Sequence, residues 1–305
     1  MAIRSYLQRV AQTASNVLIT GETGTGKELI AELIHKNSAR AAKPMVCINC
    51  AAIPDTLLES ELFGYERGAF TGAHASQDGK LKMADGSTLF LDEIGDMSAY
   101  AQAKMLRVLE SKQIQRLGSM KAQQIDFRLI AATNRELDSL AKDDGFRRDL
   151  FFRLNVARIH LPPLRERKED ILPLADFFRR EYNRKFRMET ASFTSQAEQA
   201  LLSHDWPGNV RELKNTIEAA FINMEPEATQ VSMPTLFCQV LDRKEEAGVG
   251  EVERILLALS QTRWNRSKAA EKLHWSRMTL YRKMARYQIS SAAKEPGRGA
   301  ESAAH

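Results

Sequence analysis

Lys27 closes the run Gly21-Glu22-Thr23-Gly24-Thr25-Gly26-Lys27, which has the phosphate-loop spacing G-x-x-x-x-G-K. Its three glycines let the backbone turn tightly and bring its amides close to an anion. The Lys can reach the β- and γ-phosphates. An apolar run, residues 17–20, precedes the loop, and a helical pattern follows. The loop would therefore open onto a helix N-terminus with unpaired N–H groups and a favourable dipole. Residues Gly21 to Lys27, with Glu28, are the candidate contacts for ATP and Mg²⁺. Glu28 stands where a Ser or Thr hydroxyl would normally touch the metal, so Mg²⁺ would be held mostly from elsewhere, through water.

A second set of residues fits the same chemistry. Thr88-Leu-Phe-Leu91 reads as a buried strand ending in Asp92-Glu93. Carboxylates there lie at the strand end where α/β sheets bind ligands. Asp92 can hold Mg²⁺ directly or through water, and Glu93 can polarise the attacking water. Asn134 ends the next apolar strand and can hydrogen-bond that water or the γ-phosphate, with a plain helix cap as the alternative.

Phosphoryl transfer often draws an Arg from a neighbouring subunit. Arg147, Arg148 and Arg153 in Gly145-Phe-Arg-Arg-Asp-Leu-Phe-Phe-Arg153 are candidates, although the residues alone read more simply as a basic helix surface. Arg211, in Trp206-Pro-Gly-Asn-Val-Arg-Glu-Leu213, falls in the first turn of a helix started by Pro207 and the cap-like Asn209. A cation there is electrostatically uphill unless an anion faces it, which favours contact with nucleotide. The stretch 64–73, GYERGAFTGA, breaks all periodicity and presents Phe70 and Thr71 between Gly68 and Gly72. Phe70 either meets a partner or tucks inward; the residues leave both open.

These side chains need a scaffold, and 305 residues suffice for a sizeable core plus a small appended domain. Residues 1–15 and 27–38 read as helices, the first with Ile3, Leu7 and Val10 on one face, the second with Leu29, Ile30, Leu33 and Ile34. Strands are expected at 45–48, 88–91, 127–132 and 156–161, helices at 54–63, 98–111 and 146–152, and a hairpin over 112–127. Residues 79–86 read as a connector. The alternation predicts an α/β fold with a mainly parallel sheet. Pro162-Pro163 marks a boundary, followed by helices at 168–184, 194–203, 207–223 and 233–240.

At 43% apolar and 27% charged residues the composition is that of a soluble globular protein. No stretch suggests a membrane span or signal peptide, so a cytoplasmic setting is expected. Cys47 and Cys50 form C-x-x-C, but no second pair or His cluster completes a metal site, which favours plain packing. The net charge of +5 is concentrated: residues 251–289 hold nine Lys/Arg against three Glu. That end suggests nucleic acid. Two short helices, 265–273 and 277–287, flank a tight His274-Trp275 turn, which fits helix-turn-helix geometry. Leu256, Leu257 and Leu259 belong to a preceding helix, and Leu280, Met284 and Tyr281 are expected to face inward. Arg266, Arg277, Thr279, Arg282 and Lys283 with Ser276 are the candidate contacts to double-stranded DNA, against a plain solvated basic bundle. One such module buries little surface, so at least a dimer is implied.

Taken together, the motifs resemble the bacterial enhancer-binding activators of sigma-54 RNA polymerase, an AAA+ family. The matching stretches are GETGTGKE (21–28), ELFGYERGAFTGA (61–73), TLFLDEI (88–94), RRDLFFRLNV (147–156), LPPLRERKEDI (161–171) and WPGNVRELKN (206–215). The resemblance implies an AAA+ P-loop ATPase core at 1–162 and a helical lid at 163–240. A linker at 241–250, a Fis-type helix-turn-helix at 251–289 and a disordered tail at 290–305 follow. It implies a ring of this chain, alone or with a homologous subunit, with ATP between subunits. Arg147 and Arg153 match trans-acting arginine fingers, Asn134 sensor I and Arg211 sensor II. Asn49 matches the switch asparagine that pairs with Glu93. Gly68, Ala69, Phe70, Thr71, Gly72 and Ala73 match the loop that touches sigma-54, and the hairpin near 112–127 matches the insertion beside it. Glu28 becomes the family's own form of the phosphate loop. No receiver, GAF or ligand-sensing domain precedes the ATPase part, so control is expected from a separate protein, expression level or a partner subunit. The chain also starts late for the family, whose segment before the first helix helps enclose the adenine, so either the protein tolerates that loss, with nucleotide affinity the property affected, or the chain is a fragment. The intact 68–73 loop argues against a DNA-binding regulator that does not activate sigma-54, and the compact 251–289 module against a helicase-loader-like machine.

Overall fold

Short apolar runs become strands and the periodic runs between them become helices. In chain order these are α1 (Ala2–Ala11), β1 (Val17–Thr20), α2 (Lys27–Lys36), β2 (Val46–Asn49), α3 (Asp55–Phe63), β3 (Gly64–Tyr65), β4 (Gln77–Asp78), α4 (Lys80–Met83), β5 (Thr88–Asp92), α5 (Ala99–Ser111), β6 (Gln113–Gln115), β7 (Ala122–Gln124), β8 (Arg128–Thr133), α6 (Arg148–Leu154) and β9 (Ala157–His160). The helical part continues with α7 (Ile171–Phe186), β10 (Ser192–Phe193), α8 (Ser195–Ser203), α9 (Asn209–Asn223) and β11 (Gln230–Val231). The computed structural model describes residues 2–137, 139, 145–225, 228–236, 255, 258–259, 262, 265–273, 275 and 277–287. They belong to two units, 1–231 and 232–305.

In the first unit five strands lie in the order β2-β5-β8-β1-β9, every pair parallel. β1, β8 and β9 bring Thr20, Thr133 and His160 level with one another, and β2 and β5 do the same for Asn49 and Asp92. The residues picked out for chemistry thus share one carboxyl edge. One face of the sheet packs on α3 and α5, through residues such as Leu58, Leu62, Met105 and Leu109; the other packs on α1 and α2 through Leu7, Val10, Ala31 and Ile34.

The core face of α2 is corrected. Ile34 is buried and Ile30 packs half-buried against the core as expected, but Lys27, Ala31 and His35 complete the inward face, while Leu29 is 67% and Leu33 44% exposed. The helix starts at Lys27, whose side chain must reach the loop behind it, and that fixes the helix phase. Several bounds also move: α1 ends at Ala11 rather than 15, and α6 runs Arg148–Leu154 rather than 146–152. The connector 79–86 contains α4, with Leu81 fully buried. Two-residue ladders β3–β4 and β10–β11 carry too few residues to show a period.

Arg128 is a buried guanidinium at the start of the central strand. It donates to the carbonyls of Val10 (2.7 Å), Ala11 (3.0 Å) and Ser15 (3.2 Å), so it closes the C-terminus of α1. Burial, with Arg40 nearby, lowers its pKa, yet an arginine stays charged. Arg128→Met is expected to cost about 2–4 kcal/mol by leaving those carbonyls short of donors. A urea-unfolding midpoint unchanged from wild type would contradict this.

The second unit contains α10 (Met233–Leu236), α11 (Arg266–Lys272) and α12 (Arg277–Arg286). Ile255, Ala258 and Leu259 pack with Ala269, Ala270, Leu280 and Met284. Ala269 and Ala270 are small enough to let the two helices cross closely. Tyr281 is corrected: it is 47% exposed, one position past the inward Leu280. Leu256, Leu257, His274, Ser276, the 241–250 linker and the 290–305 tail lie outside the described residues.

Candidate functional site

β1 runs directly into the loop 21–26 and α2 starts at Lys27, so the loop wraps the amino end of that helix. The Lys27 ammonium donates to the carbonyls of Gly21 (2.9 Å) and Glu22 (3.4 Å) and pairs with Glu93 Oε1 at 3.4 Å. It is buried and held by two loop carbonyls and, more distantly, by the Glu93 carboxylate, positions that phosphate oxygens can take over. Gly24 sits at φ 81, and a Cβ there would lie 2.3 Å from the carbonyl oxygen of Gly208. A glycine is required because the lid backbone touches the loop at that point: Val210 N and Arg211 N donate to Gly24 O at 3.0 and 3.3 Å.

Asp92 and Glu93 diverge at the end of β5. Glu93 takes left-handed backbone (φ 51, ψ 49), an uncommon conformation for a non-glycine residue and one that gathers at functional sites. That turn aims its Oε1 at Lys27 and its Oε2 at the Asn134 N–H, which donates at 2.9 Å. Asn134 Nδ2 in turn donates to Thr23 Oγ1 at 3.0 Å. Glu93 after β5 and Asn134 after β8 are thereby both tied to the phosphate loop and its lysine. Burial and the Glu93 charge raise the Asp92 pKa, opposed by Lys27.

Asn49 donates to Asp92 Oδ2 at 3.2 Å, and its Oδ1 accepts from Ala51 N and Ala52 N. The expected pairing with Glu93 is therefore corrected. β2 and β5 set Asn49 level with Asp92, and the left-handed turn carries Glu93 toward Lys27 and Asn134.

A cleft of about 560 Å³ opens over these groups, lined by Thr23, Gly26, Lys27, Glu28, Asn49, Asp92 and Glu93 from the core and Phe178, Arg211 and Lys214 from the lid. Among the described residues no cluster of three or more acidic, His or Cys side chains could hold a metal alone. Asp92 with Glu28 at the rim fits a Mg²⁺ that keeps most of its ligands as phosphate oxygens and water. The C-x-x-C pair does not resemble a metal site: Cys47 is exposed, Cys50 is buried, and burial pushes the Cys50 thiol up to about 12.

Lys214 and the lid residues Arg165, Arg167 and Asn209 escaped the sequence reading as site residues. Arg165 and Arg167 sit inside the quoted LPPLRERKEDI run, but no spacing shows that they reach a loop some 140 positions earlier. Glu22 is also placed differently from its neighbours, with its carboxylate gripped by Arg165 at 2.9 and 2.5 Å.

Arg147 and Arg153 stand apart from this chain's own loop contacts. Arg147 pairs with Asp149 at 2.7 Å and Arg153 with Glu110 at 3.5 Å, all four side chains about half exposed. Phe152 beside them is 71% and Val156 62% exposed.

The 64–73 stretch rides on the β3–β4 hairpin. Gly68 N donates to Ala73 O and Ala73 N to Phe70 O, which closes the tip, and Gly68 and Gly72 hold φ of 82 and 101. Phe70 is 42% exposed and rests edge-on against Tyr65, ring centres 4.9 Å apart. Both open readings are thus partly met: the ring is supported from below and open above. Thr71 is exposed and Ala69 half-buried. The β6–β7 hairpin lies alongside. Leu117 N donates to Gly64 O, Glu66 N to Leu117 O, and Arg116 bonds both Glu66 and Asp78. A Cβ on Gly118 would meet Ala69 Cβ at 2.9 Å.

In the second unit Arg277 and Arg282 are exposed and Thr279 half-buried. The Lys283 ammonium stands over the Trp275 ring at 4.9 Å and the Arg266 guanidinium over Tyr281 at 5.2 Å. Two of these cations are thus braced by aromatic rings.

A family model described as the Sigma-54 interaction domain matches residues 1–160, an AAA+ ATPase lid domain model matches 165–251, and a model of the Fis family of bacterial regulatory proteins matches 250–287. The transcriptional regulatory protein ZraR of Salmonella typhimurium is 45% identical over 295 residues, covering 93% of this chain and 67% of that protein. The formate hydrogenlyase transcriptional activator FhlA of Escherichia coli is 46% identical over 301 residues, covering 96% of this chain but 44% of that protein. This chain thus spans about two thirds or less of these relatives. NtrX from Brucella abortus, solved in complex with ATP, superposes with a TM-score of 0.72 at 33% identity, covering 94% of this chain and 67% of that one. With a phosphate loop, a helical lid and a basic helix pair in matching order, the chain belongs to the sigma-54 interaction domain family, with an AAA+ lid and a Fis-type helix-turn-helix.

Proposed function

We propose that this chain is a sigma-54-dependent transcriptional activator, which binds upstream double-stranded DNA and uses ATP hydrolysis to remodel the closed complex of sigma-54 RNA polymerase. The observation that carries the reading is the loop tip at Phe70, open above, braced below by Tyr65 and tied along its side to a second hairpin. An exposed aromatic on such a support is suited to pushing on a partner protein.

The connection from cleft to tip is short. β2 ends at Asn49, and α3 leads from there to the hairpin at Gly64. The chain returns through α4 to β5, which ends at Asp92 and Glu93. The loop is thus spliced between the two strands whose ends carry Asn49 and the acidic pair. A change in the Asn49–Asp92 bond during the ATP cycle has a direct covalent route to Phe70 and Thr71.

Within the cleft, Lys27 and the loop amides of residues 21–28 hold the phosphates, Asp92 holds Mg²⁺, and Glu93 takes the proton of the attacking water. The Mg²⁺, when bound, neutralises charge on the transferring phosphate. Asn134 orients the water or the γ-phosphate, and Arg211 meets the phosphates from the lid. Arg147 and Arg153 serve the cleft of a neighbouring copy in a ring. Arg277, Thr279 and Arg282 reach base edges, Ser276 and Lys283 steady the DNA backbone, and Arg266 adds a further DNA contact. The proposed setting is the cytoplasm; among the described residues no helix is long and apolar enough to cross a membrane.

A promoter-opening assay with sigma-54 polymerase on supercoiled DNA tests this. Opening is expected with ATP and absent with a non-hydrolysable analogue. Thr71→Ala is expected to keep ATPase activity within about twofold and to lose opening, since its exposed hydroxyl is not among the groups that line the cleft. Loss of ATPase in that variant would remove the loop's assigned role.

A further inference from the structure

Asn209 is a fully buried polar residue in left-handed backbone, φ 54, at the first position of α9. Asn tolerates that conformation better than most residues. Its side-chain bonds go to residues outside its own helix. Oδ1 accepts from Leu164 N at 2.7 Å, and Nδ2 donates to Glu22 Oε2 and to Thr23 O, both at 3.1 Å. One amide therefore ties the lid's entry turn to two residues of the phosphate loop.

The neighbouring lid groups complete the hold. Arg165 forks Glu22, Arg167 Nη2 donates to Thr25 O at 3.0 Å, and Val210 N and Arg211 N share Gly24 O. Every loop residue from 22 to 25 accepts at least one hydrogen bond from the lid. The loop's own strand and helix fix its ends; the lid fixes its middle.

We propose that Asn209, with Arg165, is a positioning residue for phosphoryl transfer: through Glu22 and the Thr23 carbonyl it holds the phosphate loop in its binding shape before nucleotide arrives. The inference rests on the nucleotide reading of this cleft. It changes the role of Glu22 from a phosphate contact to the loop's anchor on the lid. An exposed ion pair alone would contribute little, and the Arg165 and Glu22 side chains are 40% and 41% exposed. The buried amide supplies the fixed geometry that such a pair lacks. The Arg165 and Asn209 bonds hold the Glu22 carboxyl down to about 2, so the anchor stays ionised across the working pH range.

Asn209→Asp tests the donor alone. It is isosteric, keeps the acceptor for Leu164 N, removes both donor bonds and sets a carboxylate against Glu22. Fluorescent-ADP affinity is expected to fall about tenfold and the ATP KM to rise equally, with kcat changed less than about threefold. In nucleotide-free protein, hydrogen exchange at amides 22–26 is expected to rise at least about tenfold, with α7 and β8 unchanged. Adding Glu22→Gln restores a donor–acceptor pair and is expected to recover most of the loss. Arg165→Gln should repeat the loop effect, and Arg165→Lys should be milder. Affinity and loop exchange within twofold of wild type in Asn209→Asp would overturn the proposal. So would failure of Glu22→Gln to recover the loss, with protection lost across α7, which is the mark of a merely structural role. If the wild-type chain binds no ADP, the nucleotide reading fails by itself. Loop exchange then still decides the anchor: faster in Asn209→Asp supports it, unchanged overturns it.

Discussion

Glu93→Gln is expected to slow ATP hydrolysis about a thousandfold while leaving ADP affinity within about threefold. The Gln amide oxygen can still accept from the Asn134 N–H, now received by Glu93 Oε2 at 2.9 Å, so the end of β5 keeps its shape. What disappears is the base. The charge opposite Lys27 at 3.4 Å also goes, which frees the ammonium for phosphate and works against any loss of binding. Lys27→Ala is expected to differ in kind. It removes the donor that ties Gly21 O and Glu22 O, so hydrolysis and nucleotide affinity should fall together. Both variants should bind DNA like wild type, because the basic surface belongs to a unit with its own core. Phosphate release, fluorescent-ADP titration and gel mobility shifts separate the three quantities. More than a tenth of wild-type hydrolysis in Glu93→Gln would move the base to another residue.

The sequence made most of this site legible because its chemistry follows strand ends. A buried parallel strand announces itself as a short apolar run, and the polar residue that closes it is the one presented at the carboxyl edge. Thr88–Asp92 and Arg128–Thr133 show this, delivering Asp92, Glu93 and Asn134 where they were expected. Asn49, one residue past the expected strand at 45–48, entered only through the family resemblance, and its partner was not legible. Partner choice depends on register between β2 and β5 and on the left-handed turn at Glu93, and neither has a local sequence signal.

The phase of α2 failed for a related reason. Leu29, Ile30, Leu33 and Ile34 form an apolar stripe as good as the real one, and only the inward demand of Lys27 chooses between them. The lid contacts failed through distance along the chain. Asn209 looked like a helix cap because Asn next to Gly ordinarily is one, whereas its bonds go to residues 164, 22 and 23. The GAFTGA stretch stood out for the opposite reason. Nothing in periodicity accounts for an aromatic between glycines, and the residues alone left it open whether the ring meets a partner or tucks inward.

Mixing two inactive variants should restore hydrolysis. Arg147→Ala and Arg153→Ala are each expected to lose about a thousandfold in kcat, the size of effect a trans-acting arginine carries. In the isolated chain both guanidinium groups rest on local carboxylates, Asp149 and Glu110, at half-exposed positions. Such pairs contribute little stability, so losing them should leave the melting temperature unchanged. The flanking Phe152 and Val156 are large apolar groups left open to solvent, as befits a surface that another copy covers. Lys27→Ala destroys a subunit's own cleft but keeps its arginines, and Arg147→Ala does the reverse. In a head-to-tail ring each interface uses the cleft of one copy and the arginine of the next. Random mixing at equal amounts then makes about one interface in four complete, so activity near a quarter of wild type is expected from two preparations that are each inert. No recovery, with ring formation shown by light scattering, would place Arg147 back on an ordinary basic surface, and the same mixture with Arg153→Ala decides Arg153. Full activity in Arg147→Ala alone would leave Arg148 and Arg153 as the candidates from this segment.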